Sequence, residues 1–219
     1  MKLFEIVSIS LGLMMVVWVG YGVVVESKTP QPTYDVLAHY DDIEERSYPK
    51  LLIAETTVKN GSRKDQTSVA FRRLANYIFG GNKKGESIEM TAPVITAELM
   101  GQSEKIEMTA PVLSSVQKND PLSYTMAFVL PSRFSKRNVP IPLDPSVSIK
   151  TVHMKKVYAY RFSGYVTQKT LKIHKAEMMS QLKDNKLSKE GELMVAQYHS
   201  PWVFPLFRKN ELLLITVKQ

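Results

Sequence analysis

The chain has 219 residues, of which 44% are hydrophobic, enough for one sizeable core or two small ones. It has no cysteine, which excludes disulfides, a thiolate nucleophile and cysteine-based metal sites. The formal charge is +8, and residues 1–25 carry one lysine and one glutamate. The whole excess therefore belongs to the remainder of the chain and favours anionic partners such as nucleic acid, anionic lipids or carboxylate-bearing ligands.

The first stretch of the chain is apolar. Residues 6–25 form a run of twenty residues without a charge, and as a helix they would span about 30 Å, the thickness of a bilayer's hydrocarbon core. Trp18 and Tyr21 lie toward the far end of the run, as is typical of a membrane interface. A cleaved signal peptide is the alternative, but its apolar region would be about 7–15 residues long and would end in small residues.

We therefore predict a transmembrane or signal anchor over residues 1–26, a short tether over 27–33 and a globular domain over 34–219. The tether contains two prolines. Lys2 precedes the apolar run, which favours a globular domain on the non-cytoplasmic side of the membrane, the periplasm in a bacterium. The sequence carries no signal for an oligomeric state.

The globular part begins with predicted strands, after which the apolar residues change from alternate positions to helical spacing. Alternating and β-branched residues predict strands at 34–40, 43–48 and 51–58. Asp65 or Thr67 can cap a helix that runs to about Phe79, where two glycines can end it. An apolar stripe at helical spacing is formed by Phe71, Leu74, Ala75 and Ile78. Another side of the helix carries Val69, Arg72, Arg73 and Asn76, which the pattern alone describes as a solvated face.

A seven-residue segment, Ile-Glu-Met-Thr-Ala-Pro-Val, occurs at 88–94 and again at 106–112. The alternating apolar residues predict two neighbouring strands with one buried face. In the second copy these residues are Ile106, Met108, Ala110 and Val112. Pro93 and Pro111 lack an N–H, so we expect each of them at an edge, a bulge or a strand end. A local duplication explains the repeat, and a site-forming role is the alternative.

The second half of the chain repeats the order of the first. Strands are predicted at 124–130, 147–152, 157–162, 193–198 and 212–217, with a proline-rich excursion over 133–145. Thr167 can cap a second helix through about Asn185, with Leu171, His174, Met178 and Leu182 at helical spacing. An apolar loop with two prolines covers 200–207. Two helices against a mainly antiparallel sheet give an α+β architecture.

The residues do not assemble a catalytic constellation, which argues against an enzyme. The four histidines are scattered, and no pair has the spacing of zinc ligands. His174 lies on an apolar stripe and is expected in the core. His199 follows Tyr198 at the mouth of the apolar loop and is the histidine to test as a metal ligand. Neither a nucleophile elbow nor a phosphate-binding loop occurs.

The repeated Met-Thr-Ala-Pro-Val at 90–94 and 108–112 resembles the signature of the SOUL haem-binding protein family. Other segments that resemble the family, in the same order, are Glu45-Arg46-Ser47-Tyr48, Tyr77 to Gly81 before Asn82-Lys83, Pro140, Pro142 and Asp144 with Val147, Phe162-Ser163-Gly164, and Tyr198 through Asn210-Glu211. Together they cover about residues 33–219. The resemblance implies a distorted antiparallel β-barrel with two helices, built from two similar halves. It also implies binding of haem or another porphyrin rather than catalysis.

The resemblance also implies a groove between the first helix and the late loop. Its expected residues are Val69, Arg72, Arg73 and Asn76 of the helix with Tyr198, Pro201, Trp202 and Phe204 of the loop. A porphyrin has a flat apolar face and two carboxylates, which aromatic and arginine side chains suit. Some relatives carry a histidine where this chain has Ser47, so that axial ligand is absent. We therefore expect haemin and free porphyrin to bind with comparable affinity.

Two other functions compete with tetrapyrrole binding. A basic domain could bind RNA or anionic lipid, but the chain lacks an RNA-recognition aromatic motif and nucleic acid is not expected as its partner. The fold could also enclose the small hydrophobic substrate of an enzyme, against which the missing acid–base set argues. A haemin titration followed by absorbance separates the first function from the others.

Overall fold

A computed structural model describes residues 31–83, 109–116, 122–199 and 203–216. The predicted anchor, the first copy of the repeat, Met108, Pro201 and Trp202 all lie outside the described residues. Among the described helices, none is long and apolar enough to cross a membrane.

The described residues form two helices and eleven strands, with a short 3-10 helix at Pro205–Phe207. The helices are α1 (Arg63–Ile78) and α2 (Gln168–Asp184). The strands are β1 (Asp35–Tyr40), β2 (Ile43–Ser47), β3 (Lys50–Lys59), β4 (Asn82–Lys83), β5 (Thr109–Val116), β6 (Ser123–Val129), β7 (Ile141–Pro142), β8 (Val147–His153), β9 (Val157–Phe162), β10 (Glu192–Gln197) and β11 (Asn210–Ile215).

Nine of these strands form one curled antiparallel sheet in the order β1-β2-β9-β11-β10-β5-β6-β3-β8. Outward from the central β5–β10 pair, β6, β3 and β8 on one side correspond to β11, β9 and β2 on the other. Apart from the two-residue strands β4 and β7, each half has two strands, a helix and two more strands in chain order. The first half is β2-β3-α1-β5-β6, and the second half is β8-β9-α2-β10-β11. The first strand of each half pairs with a strand of the other half, because β2 pairs with β9 and β8 pairs with β3. The predicted α+β barrel of two similar halves is confirmed.

Both helices pack on one face of the sheet, which we call the helix face. Leu52 and Ala54 of β3 pack against α1 there, and Leu212 and Leu214 of β11 pack in the cluster that holds α2. Because successive residues of a strand point to opposite faces, Ile53 and Leu213 belong to a third cluster on the other face, the helix-distal face. The domain therefore has a core on each side of its sheet.

The first helix begins earlier than predicted. Ser62, rather than Asp65 or Thr67, is its N-cap, and the Ser62 hydroxyl accepts a hydrogen bond from the Asp65 backbone N–H at 3.2 Å. The helix therefore starts at Arg63, and the predicted cap is wrong. The second helix has the predicted ends, with Thr167 as N-cap in a capping box and Asn185 as C-cap.

The described part of the second repeat copy lies in β5, where Pro111 falls at an irregularity in the register between Thr109 and Val112. This is one of the positions that its missing N–H predicts. The irregularity interrupts the alternation, so Ala110 packs on the helix-distal face and Val112 packs against the cluster under α1. The prediction of one shared face for these two residues is therefore wrong.

Candidate functional site

The four predicted ligand residues of α1 lie together along one side of the helix. Its opposite side is buried through Gln66, Ala70, Leu74, Tyr77 and Ile78. Arg72 and Asn76 are exposed, whereas Val69 and Arg73 are half-buried. Arg73 is drawn toward β3, where its Nη1 lies 3.4 Å from the Thr56 hydroxyl. The helix therefore presents two guanidinium groups on one accessible strip, which can attract carboxylates.

The described residues of the late loop lie elsewhere. Tyr198 is buried on the helix-distal face, packed with Ala196 and Leu213. Phe204 is half-buried, with its ring centroid 6.0 Å from that of Phe207. The following Pro205 carbonyl accepts a hydrogen bond from the Gly164 N–H at 2.9 Å, just before α2. The structure thus brings the four helix residues together but places Tyr198 on the other side of the sheet from them.

The geometry of His199 disfavours iron ligation. The Lys209 backbone N–H donates to Nδ1 of His199 at 2.6 Å. Nδ1 is therefore an acceptor, and in the neutral ring the proton lies on Nε2. Neither nitrogen then offers a free lone pair to a metal. Iron ligation by His199 would require that backbone hydrogen bond to break.

A buried network of charged and phenolic groups occupies the helix-distal face at the ends of β2, β10 and β11. The Glu211 carboxylate is fully buried and accepts two hydrogen bonds from Arg46, from Nη1 at 2.9 Å and from Nη2 at 3.1 Å. Tyr198 donates its hydroxyl proton to the same carboxylate at 2.6 Å. Arg46 also donates to the Tyr48 hydroxyl at 3.2 Å and to Glu44 at 2.7 Å. Every buried charge in this network therefore has a close partner.

The pKa values of the network follow from its contacts. Burial alone would raise the pKa of Glu211, but hydrogen bonds and charge from Arg46, with Tyr198 and Lys209, hold it below its ordinary value. Burial raises the pKa of Tyr198, and the Glu211 carboxylate raises it further. Burial lowers the pKa of Lys209, whose ammonium lies 3.5 Å from Glu211. Arg46 and Glu211 are thus a charged pair, and Tyr198 is a neutral phenol.

These residues lie in the segments that resemble the family, but the sequence pattern gives them no role of their own. Arg46 and Tyr48 belong to the early segment, whereas Tyr198 and Glu211 belong to the late one. A signal was available in β11, because Glu211 is the one charge in the apolar run from Asn210 to Ile215. A fully buried glutamate requires a cationic partner. The sequence does not say which arginine supplies it.

An open depression lies beside this network, where the chain enters β1. Its volume is about 370 Å³, and residues 33–35, residues 47–49 and His153 line it. Tyr34 and Tyr48 meet there with ring centroids 5.2 Å apart. The guanidinium of Arg46, which belongs to the buried network, lies 4.2 Å from the Tyr34 ring centroid. The depression thus has a partly aromatic lining supported by the buried charges.

The sequence model of the SOUL heme-binding protein family matches residues 29–102 and 97–215, which is most of the chain. The chain belongs to the SOUL haem-binding protein family. Similar proteins include Heme-binding protein 1 of Mus musculus, 25% identical over 67% of this chain and 69% of the relative. Heme-binding protein 1 of Xenopus tropicalis is 24% identical over 78% of this chain and 82% of the relative.

Solved structures share the fold of this SOUL-family domain at low identity. The C-terminal domain of EcmrR is 8% identical with a TM-score of 0.54, covering 85% of this chain and 99% of that one. A hydrolase from Listeria innocua is 11% identical with a TM-score of 0.51, covering 82% of this chain and 94% of that one. At such identities the likeness concerns the fold alone.

The SOUL-family domain offers the donor groups that a haem needs. Accessible cations for the propionates occur on α1, at Arg72 and Arg73, and aromatic surface occurs in the depression at Tyr34 and Tyr48. The exposed His153 imidazole also lines that depression. A haem has a large apolar macrocycle, and its iron can bind a histidine nitrogen. The arginines of α1 therefore fit the propionates of such a group, whereas the Tyr34 and Tyr48 rings lie on the other face of the sheet.

Proposed function

We propose that this protein binds a tetrapyrrole, haem or free porphyrin, and acts as a non-enzymatic carrier or buffer. The observation that carries the proposal is the match to the SOUL family over both halves of the domain. The relatives named Heme-binding protein 1 support a binding role rather than a catalytic one. The two accessible arginines on one side of α1 supply suitable chemistry for propionates.

Titration of the full-length protein with haemin and with protoporphyrin tests this function. We expect both ligands to bind at micromolar concentrations. Arg72→Glu and Arg73→Glu should each weaken binding about tenfold or more, since each replaces an attraction for a propionate with a repulsion and a charge-assisted hydrogen bond contributes about 1.5–3 kcal/mol. Trp202→Ala should weaken binding by removing stacking area. His199→Ala should change little.

Arg137→Glu is the matched control, since it makes the same charge change at an exposed position outside α1. If it weakens binding as much as the α1 variants do, net charge rather than the α1 strip explains the effect. Failure of the parent to bind either ligand would remove tetrapyrrole binding as the function and leave an anionic lipid or RNA as the partner.

We further propose that residues 1–26 hold the domain at a membrane, with the domain on the non-cytoplasmic side. The charge-free run at 6–25 supports this proposal. Full-length protein should sediment with membranes and resist carbonate extraction, whereas residues 27–219 alone should be soluble. A mature chain that begins near Ser27, detected by N-terminal sequencing, would instead show a cleaved signal peptide.

A further inference from the structure

The end of the sheet at which β9 stops and β11 starts carries three exposed apolar side chains. Leu206 is 72% exposed, Tyr165 is 59% exposed and Phe207 is 53% exposed. The two loops that carry them are joined, because the Gly164 backbone N–H donates to the Pro205 carbonyl at 2.9 Å. We call Tyr165, Leu206 and Phe207 the apolar tip. Exposed apolar surface of this kind usually marks an interaction site.

Cations lie next to the apolar tip, on the side of α2. The Arg208 guanidinium lies 4.7 Å from the Tyr165 ring centroid. The Thr170 hydroxyl donates to the Tyr165 carbonyl at 2.7 Å, which holds the first turn of α2 against the tip. That turn carries Lys169, and Lys172 follows about one turn later; both are exposed. We call Arg208, Lys169 and Lys172 the basic rim.

The charge around the apolar tip has a single sign. Four lysine or arginine residues occur in 161–176 and two occur in 198–210, and neither range contains an acidic residue. Glu177 is the next acidic residue along α2, and it accepts a hydrogen bond from the Tyr160 hydroxyl at 2.7 Å. Apolar side chains beside cations match an anionic bilayer, whose acyl chains accept the former and whose head groups attract the latter.

The side chains of the tip favour a bilayer over a nucleic acid. Single-stranded nucleic acid is bound on aromatic side chains that stack with the bases, whereas the most exposed residue of the tip is the aliphatic Leu206. Tyr165 is of a type that is enriched at membrane interfaces, because its ring is apolar and its hydroxyl is polar. Lysines at such an interface cover apolar surface with their methylene groups and keep the ammonium group in the head-group layer.

We propose that the apolar tip docks on an anionic lipid bilayer, with the basic rim against the lipid phosphates. This interaction goes beyond tetrapyrrole binding and does not require it. The anchor proposed for residues 1–26 would keep the domain close to lipid, so that even a weak contact at the tip is populated. Docking would then fix one orientation of the domain, with the β9–β11 end of the sheet toward the bilayer.

The test uses the full-length protein, which has no cysteine of its own, so that one introduced cysteine carries one label. Leu206→Cys is labelled with an apolar, environment-sensitive fluorophore. The labelled protein is reconstituted into phosphatidylcholine vesicles, or into vesicles of equal parts phosphatidylcholine and phosphatidylglycerol, with brominated acyl chains as quenchers. We expect strong quenching in the anionic vesicles. Leu143→Cys, which labels another exposed leucine, is the matched control and should remain unquenched.

Charge reversal tests the basic rim. In the labelled Leu206→Cys protein, Lys169→Glu and Lys172→Glu should each lower the ratio of docked to undocked tip about fivefold or more, since one lysine near an anionic surface contributes about that factor. Lys64→Glu is the matched control, because Lys64 is the exposed second residue of α1 as Lys169 is the exposed second residue of α2. It should leave the quenching at the parental level.

Several results would overturn the docking assignment. They are equal quenching of the labels at positions 206 and 143, equal quenching in the two kinds of vesicle, and an equal effect of Lys64→Glu and Lys169→Glu. A blue shift of the Leu206→Cys label without vesicles would also overturn it, because haemin or a second copy of the chain would then cover the tip. Carbonate extraction reports on the anchor and haemin titration reports on tetrapyrrole binding, so each of these proposals can fail separately.

Discussion

Arg46→Ala is expected to lower the free energy of unfolding by about 3–5 kcal/mol, because it leaves a buried carboxylate without its main partner. Glu211 is fully buried and Arg46 is 3% exposed, so water cannot replace the lost bonds without opening the helix-distal face. Such a loss is a large share of the roughly 5–15 kcal/mol by which a domain is stable. Urea unfolding of the full-length protein, followed by tryptophan fluorescence, measures it.

Lys150→Ala is the matched control for that prediction. Lys150 pairs with Glu55 on the same sheet, but its side chain is 55% exposed. Its removal should cost less than about 1 kcal/mol, since solvent screens an exposed pair. Equal losses for the two variants would contradict a special role for the buried pair. Arg46→Met combined with Glu211→Leu should recover part of the loss, because the buried carboxylate is then removed together with its main partner.

The pH dependence of stability provides a second readout of the same pair. The pKa of Glu211 is held below its ordinary value of 4.5, chiefly by Arg46 against the effect of burial. A carboxyl with a lowered pKa in the folded state contributes stability above its unfolded pKa, and that contribution is lost as the pH falls through the folded value. The parent should therefore lose stability below about pH 4.5, and a Glu211→Gln variant should lose less over that range.

Most helices and strands could be predicted, because they are determined by residues that are close together in the sequence. The strand at 157–162 and the helix between Thr167 and Asn185 have the predicted bounds, since alternation and capping are read from neighbouring residues. The two-residue strands β4 and β7 were missed. They pair Asn82 with Pro142 across sixty residues of sequence, and so short a segment carries no periodicity of its own.

Burial of polar residues was harder to predict. Gln66 lies inside α1 and is 3% exposed, because its amide donates to the carbonyls of Asn60 and Leu122 at 3.3 and 2.5 Å. Asn60 directly follows β3 and Leu122 directly precedes β6, so the reason for the burial of Gln66 exists only after the sheet has formed. The Arg46–Glu211 pair has the same origin, since its partners are 165 positions apart in the sequence.

The candidate site was predictable where helical spacing defined it. Val69, Arg72, Arg73 and Asn76 share one side of α1, as residues three or four apart on a helix must. The sequence could not show that Tyr198 faces the other side of the sheet. That placement depends on which residues of β10 face the helices, and Ala196 and Tyr198 point away from them.

Leu182→Ala is expected to lower the free energy of unfolding by about 2–5 kcal/mol, because the substitution leaves a cavity under α2. Leu182 and Met178 are the two fully covered side chains of that helix, and both pack on β9 and β11 in one cluster. The remaining attachments of its C-terminal end include hydrogen bonds from Gln181 and Asn185 to the β1–β2 turn, and these are exposed. Helix α2 therefore depends on few buried groups.

Ile173→Ala is the matched control, since Ile173 lies on the same helix but is 54% exposed. It should change stability by less than about 0.5 kcal/mol, as surface substitutions usually do. Limited trypsin digestion should cut Leu182→Ala faster than Ile173→Ala at the lysines of α2, because a weakly attached helix opens more often. Equal unfolding midpoints for the two variants would show that α2 is held by contacts other than Leu182. Haemin binding per folded molecule should remain parental in both variants, because neither residue belongs to the side of α1 that carries Val69, Arg72, Arg73 and Asn76.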